Sequence, residues 1–208
     1  MNEMIAKRNE LLAQKVIKGL QSRRMNGYYA ATKEEALKLA LSLIPEGSSV
    51  GMGGGMSVAE IGLKDALIKG NYRFIDRDTM DRREAYLKMY DCDFFLAGTN
   101  AISDDGILVN IDGNGNRISA IAYGPRKVLF FAGMNKVCPN VESAIQRARN
   151  VAAPINAQRF DRTIPCRKLG SCADCKSPDS ICCQMLITRF GWEPDRIHVI
   201  LIGESVGY

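Results

Sequence analysis

Apolar residues recur at Met4, Ile5, Leu11, Leu12, Val16, Ile17 and Leu20, with polar residues between them. That spacing predicts an amphipathic helix over residues 3–25. Thr32 followed by Glu35 is a capping box, so a second helix is expected over residues 33–44, stopped by Pro45. Residues 48–52 read as a short buried strand. Gly53-Gly54-Gly55 follows, and Ser57 with Glu60 forms another capping box, predicting a helix over residues 58–69. A strand at 72–75, a helix at 78–90 and a strand at 93–97 continue the alternation. Residues 107–111 and 118–123 are expected to pair as a hairpin through the turn Asp112-Gly113-Asn114-Gly115-Asn116. Residues 127–132 are continuously apolar, as in a buried strand. Asn140 is placed to cap a helix ending near Val151. Pro154 opens a stretch without periodicity, and residues 196–203 form a last buried strand.

Strands and helices alternate in the first half, which implies a mostly parallel sheet. The second half adds the hairpin. No linker divides the chain, so one α/β domain over residues 1–208 is expected. Residues 1–30 would form an N-terminal helical extension and residues 154–190 a cysteine-rich lobe. The apolar stripe of the first helix has two available partners, its own sheet or a second copy of the chain in a homodimer.

No run of eighteen apolar residues exists, so no membrane span is expected. The N-terminus lacks the apolar stretch and cleavage site of a secretory signal, which points to the cytoplasm. The net charge of +5 is scattered rather than gathered into a basic stripe. That argues against nucleic acid and leaves a small anionic metabolite as the compatible partner.

The glycine loop places free backbone N–H groups before a helix, an arrangement that favours an anion over Gly53, Gly54, Gly55 and Ser57. It matches neither the Walker nor the dinucleotide pattern. The polar stretch that follows carries Asn100, Asp104, Asp112, Asn116 and Arg117, with Arg117 available for bidentate contact to an anion. The Asp112-Asn114-Asn116 spacing lacks the later Glu of a calcium loop. Asp76-Arg77-Asp78 follows a predicted parallel strand, where ligands commonly bind. His198, the only histidine, falls inside an apolar strand and reads as a sheet residue. Five of seven cysteines lie within eighteen residues. Cys166, Cys172, Cys175 and Cys182 form an all-sulfur set with one C-x(2)-C knuckle, which suits a structural zinc ion. An iron–sulfur cluster uses the same ligand type. Reduced thiols or a disulfide remain open, and Cys183 is a fifth thiol without an assigned part.

Residues 49–63 (SVGMGGGMSVAEIGL), residues 93–137 (from DFFLAGTN to GMNKV) and the ending RIHVILIGESVGY resemble the lactate-utilisation (LUD) domain family. The likeness covers nearly the whole chain. The order PCRKLGSCADCKSPDSIC resembles the cysteine signature of a short single-domain branch. The resemblance implies a Rossmann-like three-layer sandwich, similar to ribose-5-phosphate isomerase, glucosamine-6-phosphate deaminase and CoA transferases. It also implies a ligand cleft at Gly53, Gly54, Gly55, Ser57, Asn100, Asp104, Asp112, Asn116, Arg117 and Lys136. No counterpart of the CoA-transferase nucleophilic Glu is found, since Glu60 falls in the capping box.

The expected ligand is a hydroxy or keto acid, a sugar phosphate or a CoA ester. Asp104 or Asp112 would act as general base, and Arg117 and Lys136 would neutralise charge. Two other roles fit the same residues: a non-catalytic component of an iron–sulfur lactate-oxidising system, or a thiol-based redox sensor.

Overall fold

A computed structural model describes residues 2–208. The first helix is α1 (Glu3–Ser22), whose Asn2 cap accepts from the Met4 N–H. β1 (Asn26–Ala30) leads into α2 (Lys33–Leu43), where Thr32 Oγ1 accepts from the Glu35 N–H at 3.2 Å. Then come β2 (Ser49–Met52), α3 (Met56–Glu60), α4 (Leu63–Lys69), β3 (Arg73–Ile75), α5 (Arg82–Tyr90) and β4 (Phe94–Gly98). β5 (Ala101–Ser103), β6 (Leu108–Asp112), α6 (Asn116–Ala122) and β7 (Lys127–Gly133) follow. A 3-10 turn (Met134–Lys136) links β7 to β8 (Val137–Cys138). α7 (Val141–Arg147), a π-helical turn (Ala148–Ala152) and α8 (Ala153–Ala157) run on without a break. α9 (Pro165–Leu169), β9 (Gln184–Thr188) and β10 (Ile197–Ile202) complete the chain.

Six strands form a fully parallel sheet in the order β1-β10-β7-β4-β2-β3. β4, β7 and β10 lie inside it, which explains their near-continuous apolar sequences. One face packs on α2, α3 and α4 through Ala36, Ala40, Val58 and Leu67, against Phe131, Ile200 and Ile202. The other packs on α1, α5 and α6 through Val16, Leu20, Ala85 and Ile121, against Phe95, Phe130 and Val199. These are the three layers of a Rossmann-like α/β sandwich. A second sheet, in the order β8-β5-β6-β9, joins the α1 side, and α7 with the π-helical turn after it covers its outer face through Ala144 and Ala148.

Several expectations need correction. Residues 116–122 are the helix α6, not a strand. Asp112 accepts from the N–H groups of Asn114, Gly115 and Arg117, satisfying donors that a helix start leaves free. Ala120 and Ile121 then fall three and four residues after Arg117 on the inner face. The hairpin instead joins β5 and β6 around Asp104-Asp105-Gly106. The predicted 58–69 helix is two helices, because Gly62 has φ +75° and turns the chain between them. Ser57 lies inside α3 rather than at its cap, which is Gly55.

Helix α7 continues past Pro154, since the preceding π turn reroutes the hydrogen bonding that proline cannot supply. The lobe expected over 154–190 therefore begins and ends in regular structure, and β9 extends the second sheet. The first thirty residues are integral rather than an extension: β1 is an edge of the main sheet and α1 buries Ala13, Val16 and Leu20 on it. The later part of that stripe, Leu12, Val16, Ile17 and Leu20, packs within the chain. Met4, Ile5 and Leu11 stay exposed.

Candidate functional site

The C-terminal ends of β2, β3, β4 and β7 all open into one cavity of about 780 Å3. This is where a parallel sheet presents its loops to a ligand. The strand ends supply Gly54 and Gly55, Arg77 and Asp78, Gly98 to Asn100, and Lys136. The α6 side contributes Asp112, Asn114, Asn116 and Arg117. Asn156, Arg159, Phe160 and Arg162 close it from α8 and the chain beyond, and Ser180, Ile181 and Cys183 from the cysteine lobe. Six cationic side chains (Arg77, Arg82, Arg117, Lys136, Arg159 and Arg162) face two carboxylates, Asp78 and Asp112. The excess positive charge in a concave, partly enclosed space favours an anionic guest.

Lys136 is only 3% exposed, and its Nζ donates to Ser57 Oγ at 2.9 Å. Burial pushes the ammonium down to about 7, with the Arg147 and Arg117 charges adding to the effect and Glu60 opposing it. The C-terminal tail covers the pair. Val206 O accepts from Ser57 Oγ at 3.4 Å, and the Gly207 N–H donates to Glu60 Oε2 at 3.0 Å. Gly207 has φ +57°, and a Cβ there would lie 2.6 Å from Ser57 Oγ and 2.9 Å from Lys136 Nζ. Only glycine allows this approach. Glu60 thus holds the tail and forms no capping box.

Arg117 is placed differently from its expected part. Its Nη1 donates to Gly98 O at 3.2 Å, and its Nη2 to Asn100 Oδ1 at 3.0 Å and Ile111 O at 2.6 Å. The guanidinium ties the end of β4 to the end of β6 instead of offering a bidentate clamp. Burial lowers its pKa, and Asp112, 3.6 Å from Nε, offsets this. Asn100 Oδ1 also accepts from the Ile111 N–H at 2.9 Å.

The cavity gathers Gly54, Gly55, Ser57, Asn100, Asp112, Asn116, Arg117 and Lys136. Gly53 borders a smaller adjoining hollow of about 180 Å3. Asp104 is not among the lining residues. It ion-pairs with Lys15 of α1 on the far side of the hairpin, so it cannot serve as base there. Asp112 lines the cavity, but its oxygens are taken by three backbone N–H groups and by Arg117, which leaves it poorly disposed for proton transfer. Arg82, Arg159 and Arg162 were not singled out by sequence. Arg159 lies 105 residues from Gly54, whose carbonyl it meets at 3.2 Å, and no local pattern marks such a pairing. His198 lies elsewhere, stacked on Tyr28, with Nδ1 3.1 Å from Tyr28 Oη and Nε2 2.9 Å from Asp195 O.

In the cysteine lobe all the thiols are free. Among the described residues no group of three or more His, Cys, Asp or Glu side chains is positioned to hold a metal ion. The donor chemistry nonetheless suits a thiophilic ion. Asp174, at φ +48°, turns the knuckle so that its N–H points to Cys172 Sγ at 3.5 Å. Arg149 Nη2 lies 3.9 Å from the same sulfur. Burial, then Cys166, Cys172, Cys175 and Cys183, push the Cys182 thiol up to about 11. Cys166, Cys172, Cys175 and Cys182 would be the ligands of such an ion, and its binding would have to draw together sulfurs that are not gathered into a preformed site.

Among the described residues no helix is long and apolar enough to cross a membrane. Among solved structures, a DUF162 family protein from Deinococcus radiodurans superposes with a TM-score of 0.56 at 10% identity, over 93% of this chain and 98% of that one. The eIF2B beta protein from Chaetomium thermophilum (TM-score 0.39, 18% identity) aligns over 54% of this chain and 44% of its own. Ribose 5-phosphate isomerase A from Methanocaldococcus jannaschii (TM-score 0.35, 15% identity) aligns over 52% and 55%. No curated protein matches the sequence significantly. The sequence profile of the LUD domain matches residues 13–202, which spans both sheets and the cavity, and the chain belongs to the LUD domain family.

Proposed function

We propose that this LUD domain binds a small anionic metabolite, a hydroxy or keto acid, a sugar phosphate or a CoA ester, in the cavity at the C-terminal edge of its main sheet. One observation carries the reading: six cationic side chains line the cavity against two carboxylates, while both carboxylates already have cationic or N–H partners. Arg77, Arg159 and Arg162 take the anionic group. Arg159 is held toward the glycine loop by Gly54 O, and Arg77 Nη1 by Tyr86 Oη at 3.3 Å. Arg117 shapes the wall from behind.

The test is a thermal-shift and calorimetric screen with lactate, pyruvate, sugar phosphates and CoA thioesters. At least one class stabilises the protein, and Arg159→Ala weakens its binding about tenfold or more, the usual loss for a charge-assisted hydrogen bond. A complete panel without a shift, or a hit that Arg159→Ala and Arg77→Ala leave untouched, overturns the assignment.

A further inference from the structure

We propose that Lys136 is a nucleophile whose side-chain amine condenses with the carbonyl carbon of an anionic oxo compound held in the cavity. The inference rests on the anion-binding reading above and narrows the ligand to anions that carry a ketone or aldehyde, such as 2-oxo acids and oxo sugar phosphates.

Three observations converge on it. Lys136 closes the 3-10 turn after β7, which brings its side chain to the cavity with 3% exposure. Its Nζ bonds to Ser57 Oγ and, among the described residues, forms no ion pair; the Glu60 carboxylate is engaged by the Gly207 N–H. Arg117 and Arg147 are both fixed by backbone carbonyls, Arg147 through Asn135 O at 3.0 Å and Asn100 O. Their charges stay beside the amine. A lysine that is desolvated and next to other cations is the usual form of an amine nucleophile, because its free base is populated near neutrality. The value of about 7 agrees with that placement.

The step balances without oxidant or reductant. The Nζ lone pair forms the C–N bond as the carbonyl π pair moves to oxygen. One proton passes from nitrogen to that oxygen, giving a carbinolamine. A second proton, taken from solvent water, then protonates the hydroxyl, which leaves as water as the nitrogen lone pair forms the C=N bond of an iminium ion. Ser57 Oγ, 2.9 Å from Nζ, relays the proton, and the arginines hold the anionic group of the ligand. The product acidifies the carbon next to the former carbonyl.

The experiment incubates the full chain with pyruvate, 2-oxoglutarate or ribulose 5-phosphate, adds borohydride, and maps the reduced adduct by peptide mass spectrometry. The carboxylate and phosphate probes separate the two anion sources. Modification is expected at Lys136 in preference to the exposed lysines, and it disappears in unfolded protein. Lys136→Met preserves apolar volume and loses the adduct while still unfolding cooperatively. Ser57→Ala keeps the adduct but slows its formation about a hundredfold, the lower range for a positioned proton-transfer group. Binding of an oxo anion without an adduct at Lys136 overturns this inference and leaves the anion site standing. Labelling spread equally over surface lysines overturns it as well. Absence of both binding and adduct overturns the two readings together.

Discussion

Lys136 Nζ and Ser57 Oγ lie 2.9 Å apart, although 79 residues separate them along the chain. The 3-10 turn after β7 carries the lysine and α3, after β2, the serine, and the parallel order β7-β4-β2 brings these strand ends to one edge. Gly207 roofs the pair, and the amine, buried near Arg147, Arg117 and Glu60, has a single hydroxyl as its hydrogen-bond partner.

Stability should depend on pH through this lysine. Its folded value is about 7 against an ordinary value of 10.5. Between those limits the unfolded chain holds the proton and the folded chain does not, so stability rises with pH across the window. Below about 7 both states are protonated and the whole burial penalty remains. Lys136→Met should flatten this rise and raise stability near neutral pH by on the order of a few kcal/mol. Denaturant unfolding of both proteins over a pH series reads the difference; parallel profiles contradict it.

Gly207→Ala should detach the tail. A methyl group there meets Ser57 Oγ and Lys136 Nζ at less than van der Waals distance, in a left-handed backbone conformation. The expected cost is about 1–2 kcal/mol, with faster proteolysis within residues 203–208. Unchanged protease resistance would show that the tail does not close the site.

Arg117 and Arg159 should separate structure from binding. Arg117→Ala leaves the Gly98 and Ile111 carbonyls and Asn100 without their partner, at a cost of about 3 kcal/mol or more. Arg159 is exposed and meets its partners at the cavity rim. Arg159→Ala should change stability by less than about 0.5 kcal/mol while weakening anion binding. Equal loss of melting temperature in both variants would contradict this division.

The cysteine lobe should take up zinc. Anaerobically reduced protein is expected to bind close to one ion per chain, seen by metal analysis, with a raised melting temperature reversed by chelator. Cys172→Ser removes the sulfur that receives the Asp174 N–H and should abolish uptake. Because Ser180, Ile181 and Cys183 line the cavity, metal removal should also weaken ligand binding. No uptake with unaltered ligand affinity would leave the thiols a packing role.

Asn110 is fully buried in β6, and both its side-chain polar atoms lack a hydrogen-bond partner. Replacing such a group by an apolar one of similar size removes a desolvation penalty. Asn110→Leu should therefore stabilise the fold by about 1 kcal/mol, measured by denaturant unfolding. A destabilised variant would point to a bonding partner at that position.

The sequence by itself determined the elements whose signal is local. Thr32 and Asn140 marked helix starts through caps that depend on neighbouring N–H groups. The near-continuous apolar runs at β4, β7 and β10 announced strands buried on both faces. The glycine loop stood out by its motif and Lys136 by family likeness alone, and both border the cavity or its adjoining hollow. Tertiary structure alone decided what those residues meet. Residues 118–123 carry a pattern short enough for strand or helix, and Asp112, reaching three N–H groups ahead of it, selects the helix. Arg117 looked free in sequence and is occupied by carbonyls from two other strands. Arg159 and Gly207 reach the site from 105 and 150 residues beyond the glycine loop and Ser57. Contacts over such separations are set by the order of strands in the sheet, which no local spacing of residues encodes.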